Sequence, residues 1–201
     1  MSPKKLVESH RLGLMGGSFN PIHYGHLTAA EEAIARFNLD KIIFIPCGKP
    51  PHKDVSALAP AEDRYLMTAI AIANDPRFEV SRYEIDKPGP SYTIDTMRHF
   101  KEELPDTEFY FITGADAALE LDTWREPEQI YKYGHLIGAT RPGYTVDKAP
   151  AVAERVIWME IPALGVSSTD IRQRLRDNLP VTNLLPAGVL EYIKSRSLYQ
   201  G

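Results

Sequence analysis

Short apolar runs alternate with segments of helical periodicity along the chain. Residues 12–15 are continuously apolar, as in a strand that is covered on both faces. Apolar side chains then recur at three- and four-residue spacing over residues 27–37, which predicts an amphipathic helix that Asn38 and Asp40 end. Residues 41–46 combine apolar character with high β propensity and predict a second buried strand.

The same alternation continues to the end of the chain. It predicts further strand character at residues 78–85, 109–113, 135–140 and 156–160, and helices at 66–73, 91–104, 115–121, 128–133, 166–172 onward and 186–195. Strands that alternate with helices form βαβ units with right-handed crossovers. We therefore expect one α/β domain over residues 11–201, with a Rossmann-like, doubly wound and mainly parallel sheet flanked by helices, and a flexible extension over residues 1–10.

Composition narrows the class of protein. The 201 residues are 43% hydrophobic and 25% charged, and the net charge of −4 argues against a broad nucleic-acid-binding surface. Cys47 is the only cysteine, which excludes an internal disulfide and fits a reducing compartment. No apolar run reaches the roughly 18 residues that a membrane span needs, and residues 1–10 lack a signal-peptide core. We expect a cytoplasmic protein with no nucleic-acid or membrane partner.

In a parallel sheet the ligand lies beyond the carboxyl ends of the strands. The loops at residues 16–26, 47–53, 114–116, 141–143 and 165–168 follow predicted strands and are the places to look for function. The sequence lacks a phosphate loop of the G-x-x-x-x-G-K-[ST] type, a G-x-G-x-x-G fingerprint and an H-E-x-x-H helix. A Ser/His/Asp triad stays open, although no G-x-S-x-G elbow occurs.

The loop at residues 16–26 predicts phosphate binding. Gly16 and Gly17 let the backbone pass close to a ligand, and the following helix start supplies unpaired N–H groups. His23 and His26 stand three residues apart where the turn becomes the helix, so their side chains face the same way.

A second helix start, at residues 166–172, carries similar chemistry. Ser167 and Asp170 have the spacing of a capping box. Arg172 lies in the first turn, where a cation opposes the helix dipole by about 0.3–1 kcal/mol. An exposed arginine is one interpretation, and a polyphosphate site built from hydroxyls, N–H groups and a guanidinium is the other.

Both segments resemble the signatures of a known superfamily. Residues 17–26 resemble the H-x-G-H signature, and residues 167–172 the S-S-T-x-I-R signature, of nucleotidyltransferases of the class I aminoacyl-tRNA synthetase type. Matches at residues 50–53, 89–96 and 114–116, the last followed by Trp124, resemble the bacterial nicotinate mononucleotide adenylyltransferases. The resemblance covers residues 12–199; Met15 and Arg125 depart from it, because an aromatic residue is usual at both positions.

The resemblance implies transfer of AMP from ATP to nicotinate mononucleotide, which gives deamido-NAD and pyrophosphate. The implied catalytic residues are His23, His26 and Arg172. ATP would contact these three and Gly16, Gly17, Ser18, Phe19, Arg141, Ser167, Ser168 and Thr169. The implied substrate residues are His52, Lys53, Thr93, Asp116 and Trp124. Mg²⁺ would be held chiefly through phosphates and water, with no dedicated protein ligands.

Several alternatives stay open at this point. Asp116 could be a helix N-cap instead of a ribose ligand, and Trp124 a packing residue instead of a platform for the pyridine ring. The substrate could be nicotinamide mononucleotide or phosphopantetheine, as in other adenylyltransferases of the superfamily. A non-catalytic nucleotide sensor is a further alternative, a nucleic-acid-binding module is disfavoured, and assembly into a homo-oligomer is undecided.

Overall fold

The computed structural model describes residues 10–51, 58–145 and 149–200, and their strands form one sheet. The six strands are all parallel, in the order β3-β2-β1-β4-β5-β6. They are β1 (Arg11–Gly17), β2 (Lys41–Pro46), β3 (Phe78–Val80), β4 (Glu108–Gly114), β5 (His135–Thr140) and β6 (Ile157–Glu160). The predicted α/β class is confirmed.

Helices lie between most successive strands, and two more follow β6. They are α1 (Tyr24–Phe37), α2 (Ala61–Ile72), α3 (Tyr83–Asp86), α4 (Thr93–Glu103), α5 (Ala115–Leu119), α6 (Pro127–Ile130), α7 (Ser168–Arg176) and α8 (Ala187–Ser195), with short 3₁₀ turns at Leu121–Thr123 and Ala151–Arg155. Asn38 ends α1 in the left-handed conformation, with φ of 49°, as its position after the apolar periodicity suggested.

One predicted element is wrong in part. The strand expected over residues 78–85 ends at Val80, and Tyr83 lies in helix α3. The Ser81 hydroxyl accepts the N–H of Tyr83 at 3.1 Å, and Arg82 pairs with Asp86 one turn later, at 3.0 Å. These local bonds stabilise a helical turn that the alternation of apolar residues does not reveal.

The sheet buries both of its faces, which explains the continuous apolar strands. In β1, Leu14 belongs to the core on the side of α4, α5 and α6, whereas Met15 belongs to the core on the side of α1, α2, α7 and α8. In β4, Phe111 lies on the same side as Leu14, and Ile112 lies on the same side as Met15. Because neighbouring residues of a strand point to opposite faces, each strand needs an apolar residue at nearly every position.

A buried arginine fixes the loops at the carboxyl ends of β1 and β2. Arg64 of α2 is only 1% exposed, and it donates to the main-chain oxygens of Ser18 at 2.7 Å, Gly48 at 3.2 Å and Ala59 at 3.0 Å. Within the described residues no carboxylate forms an ion pair with it. Its donors therefore satisfy carbonyls of irregular backbone that has no ladder partners.

Arg64→Met should lower the free energy of unfolding by about 3 kcal/mol, because the apolar side chain leaves buried carbonyl oxygens without donors. Urea unfolding measures the loss. Arg36→Met is the matched control: Arg36 is exposed on α1 and pairs with the carboxylate of Glu32 one turn away, at 3.1 Å, so its loss should change stability little. Equal losses for the two variants would contradict this assignment of Arg64.

Candidate active site

A cavity of about 520 Å³ opens at the carboxyl ends of the central strands. Its volume is in the range of nucleotide and small-molecule sites. The lining includes all the residues that the sequence assigned to ATP and the proposed ribose ligand: Gly16, Gly17, Ser18, Phe19, His23, His26, Asp116, Arg141, Ser167, Ser168, Thr169 and Arg172. His52 and Lys53 lie outside the described residues, and Thr93 and Trp124 do not contribute to the described lining.

The two glycines belong to the strand, and not to the turn that was predicted to begin at Gly16. β1 continues through Gly17, where it pairs with Pro46 of β2. A side chain on Gly16 would place its Cβ 2.5 Å from the ring of Phe111, so this position requires glycine for packing. The left-handed residue of the following loop is Phe19, with φ of 46° and a buried ring that packs edge-on against His26 at 5.1 Å.

The two histidine rings stack against each other. His23 is the extended residue that precedes α1, and its ring lies 3.8 Å from that of His26, which is one turn into the helix. The His23 N–H points to Nδ1 of His26 at 3.2 Å, which leaves the proton of a neutral His26 on Nε2. Both rings line the cavity, as the spacing predicted.

His23 is held in its neutral form. Its side chain is buried, and burial together with the charge of Arg141 lowers its pKa to about 4. Its Nδ1 atom has no well-formed hydrogen bond among the described residues. This imidazole can gain a proton when an anion binds beside it, because a nearby phosphate favours the protonated ring.

The second signature starts α7, as predicted. The Ser167 side chain caps the helix by accepting the N–H of Asp170 at 3.1 Å. The next residue, Ser168, donates its hydroxyl to the main-chain oxygen of Pro21 at 2.9 Å. The two signature segments, distant in the sequence, are therefore in direct contact.

Arg172 makes the second contact between the signatures. It donates to the main-chain oxygen of Asn20 at 2.7 Å and to the hydroxyl of Thr169 at 3.1 Å. Partial burial lowers its pKa, but an arginine stays charged at neutral pH. The interpretation of Arg172 as merely exposed is wrong, because it is partly buried, bonded to the first signature and part of the cavity wall.

Asp116 and Arg141, which follow β4 and β5, complete the cavity wall. The cap of α5 is Gly114 and not Asp116, so the N-cap alternative for Asp116 is wrong. The Asp116 carboxylate instead accepts the Tyr144 hydroxyl at 2.6 Å at the edge of the cavity. Arg141 donates to the main-chain oxygen of Val166 at 3.3 Å and so joins the β5 loop to the approach to α7.

Thr93 and Trp124 belong to the side of the sheet that carries α4, α5 and α6. Thr93 is the first residue of α4, and the Trp124 ring packs edge-on against Phe111 at 6.4 Å. Arg125, which departs from the family pattern, places its guanidinium 5.1 Å from the Tyr92 ring and 3.7 Å from the Asp95 carboxylate. A packing contact, which is the alternative interpretation of Trp124, is thus present.

Sequence reasoning gave no role to Arg64 or to Asn20. Arg64 had a visible signal: it shares the buried face of α2 with Met67, Thr68 and Ile72, at helical spacing, where a charged side chain is unexpected. Asn20 stood inside the first signature, but only the fold shows which groups reach its side chain.

The described residues contain no group of three or more His, Cys, Asp or Glu side chains that could hold a metal ion. None of the helices in the described ranges is long and apolar enough to cross a bilayer.

Comparisons with known proteins agree on one family. A family model described as cytidylyltransferase-like matches residues 14–174. A probable nicotinate-nucleotide adenylyltransferase of Acidothermus cellulolyticus is 48% identical over 94% of both chains. The protein of the same description in Nocardioides sp. is 50% identical over 92% of both chains. That of Moorella thermoacetica is 49% identical over 94% of this chain and 92% of its own.

Solved structures share the fold. The nicotinic acid mononucleotide adenylyltransferase of Plasmodium falciparum, complexed with NaAD, superposes with a TM-score of 0.76 at 21% identity, over 94% of this chain and 97% of its own. A putative nicotinate-nucleotide adenylyltransferase of Vibrio parahaemolyticus gives a TM-score of 0.68 at 18% identity, over 95% and 96% of the two chains.

The low pKa of His23 predicts proton uptake when a polyphosphate binds. A bound anion raises the pKa from about 4 towards neutrality, so the complex holds more protons than the free protein, and the difference grows as pH falls from 8 to 6. Calorimetry with a non-hydrolysable ATP analogue in buffers of different ionisation enthalpy measures the uptake. His23→Asn corrects for protons taken by the nucleotide, and equal uptake by both proteins would refute the prediction.

Proposed function

The chain belongs to the nicotinate-nucleotide adenylyltransferases of the cytidylyltransferase-like family, and we propose that it transfers AMP from ATP to nicotinate mononucleotide in the synthesis of NAD. The products are deamido-NAD and pyrophosphate. The protein is a nucleotidyltransferase that works in the cytoplasm, and it needs neither nucleic acid nor a membrane.

The direct contact between the two signature segments carries this proposal. Ser168 and Arg172 donate to the backbone of the first signature while they line the same cavity as the stacked histidines. Hydroxyls, a guanidinium, imidazoles and a helix start thus converge on one space, and these groups match the charge and hydrogen-bonding capacity of a triphosphate.

The chemistry requires positioning more than proton transfer. A phosphate oxygen of nicotinate mononucleotide attacks the α-phosphorus of ATP, the new P–O bond forms, and the bond to the β-phosphate breaks to release pyrophosphate. The attacking phosphate monoester is already largely ionised at neutral pH, so no general base is needed. His23 and His26 donate to the phosphates, and Arg172, Ser168 and Thr169 stabilise the charge that builds up on the leaving pyrophosphate.

Mg²⁺ fits this donor set as a companion of the nucleotide. The wall offers donors to phosphate oxygens, and within the described residues no carboxylate cluster competes for the ion. Mg²⁺ binds readily through phosphates and water, and when bound it neutralises part of their charge.

The residues that the resemblance assigns to the substrate would select and hold the pyridine nucleotide. Trp124 would stack on the pyridine ring, Thr93 would hydrogen-bond near the nicotinate carboxylate, and Asp116 would accept a ribose hydroxyl. His52 and Lys53 follow β2, and they would cover the phosphates from the opposite side.

A substrate panel tests the proposal. Purified protein with ATP and Mg²⁺ should release pyrophosphate with nicotinate mononucleotide, and more slowly, by kcat/KM, with nicotinamide mononucleotide. Turnover with phosphopantetheine alone would place the chain in another branch of the superfamily. ATP binding without any product would identify a nucleotide sensor.

His26→Ala should lower kcat about a hundredfold or more, because it removes one preorganised donor to the transition-state charge. Steady-state pyrophosphate release measures the effect, and thermal unfolding checks the fold. The control is His135→Ala. His135 is the first residue of β5, at the end of the strand away from the cavity, and it contacts Glu108, so kcat should stay the same. Near-normal kinetics of His26→Ala would reject this mechanism.

Trp124→Ala should raise KM for nicotinate mononucleotide about tenfold and leave KM for ATP unchanged, since the stacking on the pyridine ring is the substrate contact that is lost. Trp124→Phe should recover most of the affinity, because phenylalanine can both stack and pack against Phe111. Equal changes in both KM values would show that Trp124 matters only for packing.

A further inference from the structure

The chain returns to the active-site loop near its C-terminal end. After α8, Ser197 and Tyr199 adopt left-handed conformations with φ of 50° and 63°. The N–H of Leu198 bonds to the main-chain oxygen of Ile193 at 3.0 Å, which closes this turn. Such backbone is unfavourable for residues with side chains, so the surrounding packing must hold it in place.

The turn brings the phenol of Tyr199 to Asn20. Its hydroxyl donates to Oδ1 of Asn20 at 2.8 Å, and the same oxygen accepts the N–H of Ala59 at 3.0 Å. Asn20 is 3% exposed, so these two donors fix a buried side chain. Burial also raises the pKa of Tyr199, so its hydroxyl remains a donor throughout the physiological range.

The main chain of Asn20 connects the Tyr199 contact to the cavity. Its carbonyl oxygen is the acceptor for Nη1 of Arg172 at 2.7 Å, and Arg172 lines the cavity. One face of Asn20 is thus held by Tyr199, and its backbone in turn orients the guanidinium. Tyr199 is absent from the described cavity lining, so it acts without touching a ligand there.

We infer that Tyr199 is a positioning residue of the nucleotide-phosphate site, acting through Asn20 on the guanidinium of Arg172. The inference rests on the proposed function, because it assigns Arg172 to the triphosphate and the leaving pyrophosphate. Without the Tyr199 hydroxyl, Oδ1 of Asn20 loses one of its donors, and the main-chain oxygen that orients the Arg172 guanidinium is held less firmly.

Tyr199→Phe removes the hydroxyl and keeps the ring. It should lower kcat/KM for ATP about threefold to tenfold, the size of one lost hydrogen bond, with kcat reduced and KM for nicotinate mononucleotide unchanged. Calorimetry with an ATP analogue should show weaker binding by a similar factor. A change in the kinetic and binding constants for ATP, with KM for nicotinate mononucleotide unchanged, distinguishes positioning from a general loss of structure.

Tyr192→Phe is the matched control. Tyr192 lies in α8, is partly buried, and donates its hydroxyl to Asp63 Oδ1 at 2.7 Å. The variant should lose stability as Tyr199→Phe does, with kinetics that match the parent protein. If both variants had equal kinetic constants at equal stability loss, Tyr199 would have no positioning role.

A double-mutant cycle with Asn20→Ala tests the route of the effect. In that background Tyr199→Phe should change kcat/KM for ATP no further, because the acceptor is already gone. Additive losses would overturn the inference. An inactive parent protein would instead reject the proposed function, and the calorimetric comparison of ATP-analogue binding would still decide the role of Tyr199.

Discussion

The structure depends on how the main-chain carbonyls at residues 18–21 find donors. This loop leaves the sheet after β1, so it has no ladder partners, and buried carbonyls without donors are costly. Arg64 from α2, and Ser168 and Arg172 from α7, supply those donors. Elements far apart in the sequence therefore meet at the carboxyl ends of the central strands, and the cavity lies between them.

The same bonds prepare the site for its chemistry. A donor that is already fixed by the protein needs no reorganisation when charge develops on a phosphate, and this preorganisation is a large part of enzymatic rate enhancement. Arg172 serves both purposes: one guanidinium nitrogen donates to the backbone of Asn20, and the same side chain lines the cavity. Under the proposed function, the structural and catalytic demands on this residue are therefore inseparable.

The sequence predicted the elements with strong local signals. β2 and β5 have the predicted bounds because their apolar runs are continuous and flanked by polar or turn residues. α3 was missed because Ser81 and the ion pair between Arg82 and Asp86 decide it, and an alternation of apolar residues hides such local bonds. The assignment of Gly16 and Gly17 to the turn failed because β1 continues through them, and at Gly16 packing against Phe111 leaves no room for a side chain.

The candidate site was predictable wherever a residue's chemistry showed in its own segment. His23, His26 and Ser168 were found because they surround helix starts after predicted strands. The role of Tyr199 could not be found, because a tyrosine near the C-terminal end has no local feature that connects it to Asn20. Contacts of this kind follow from the packing of α8 against α2, which periodicity does not specify.

The central claim is that the two signature segments form one triphosphate site. A crystal structure with a non-hydrolysable ATP analogue and Mg²⁺ tests it most directly. The claim predicts phosphates within hydrogen-bond distance of His26 and Arg172, while Ser168 and Arg172 still donate to the main chain of Pro21 and Asn20. A nucleotide bound elsewhere, or bound only after those two contacts break, would contradict it.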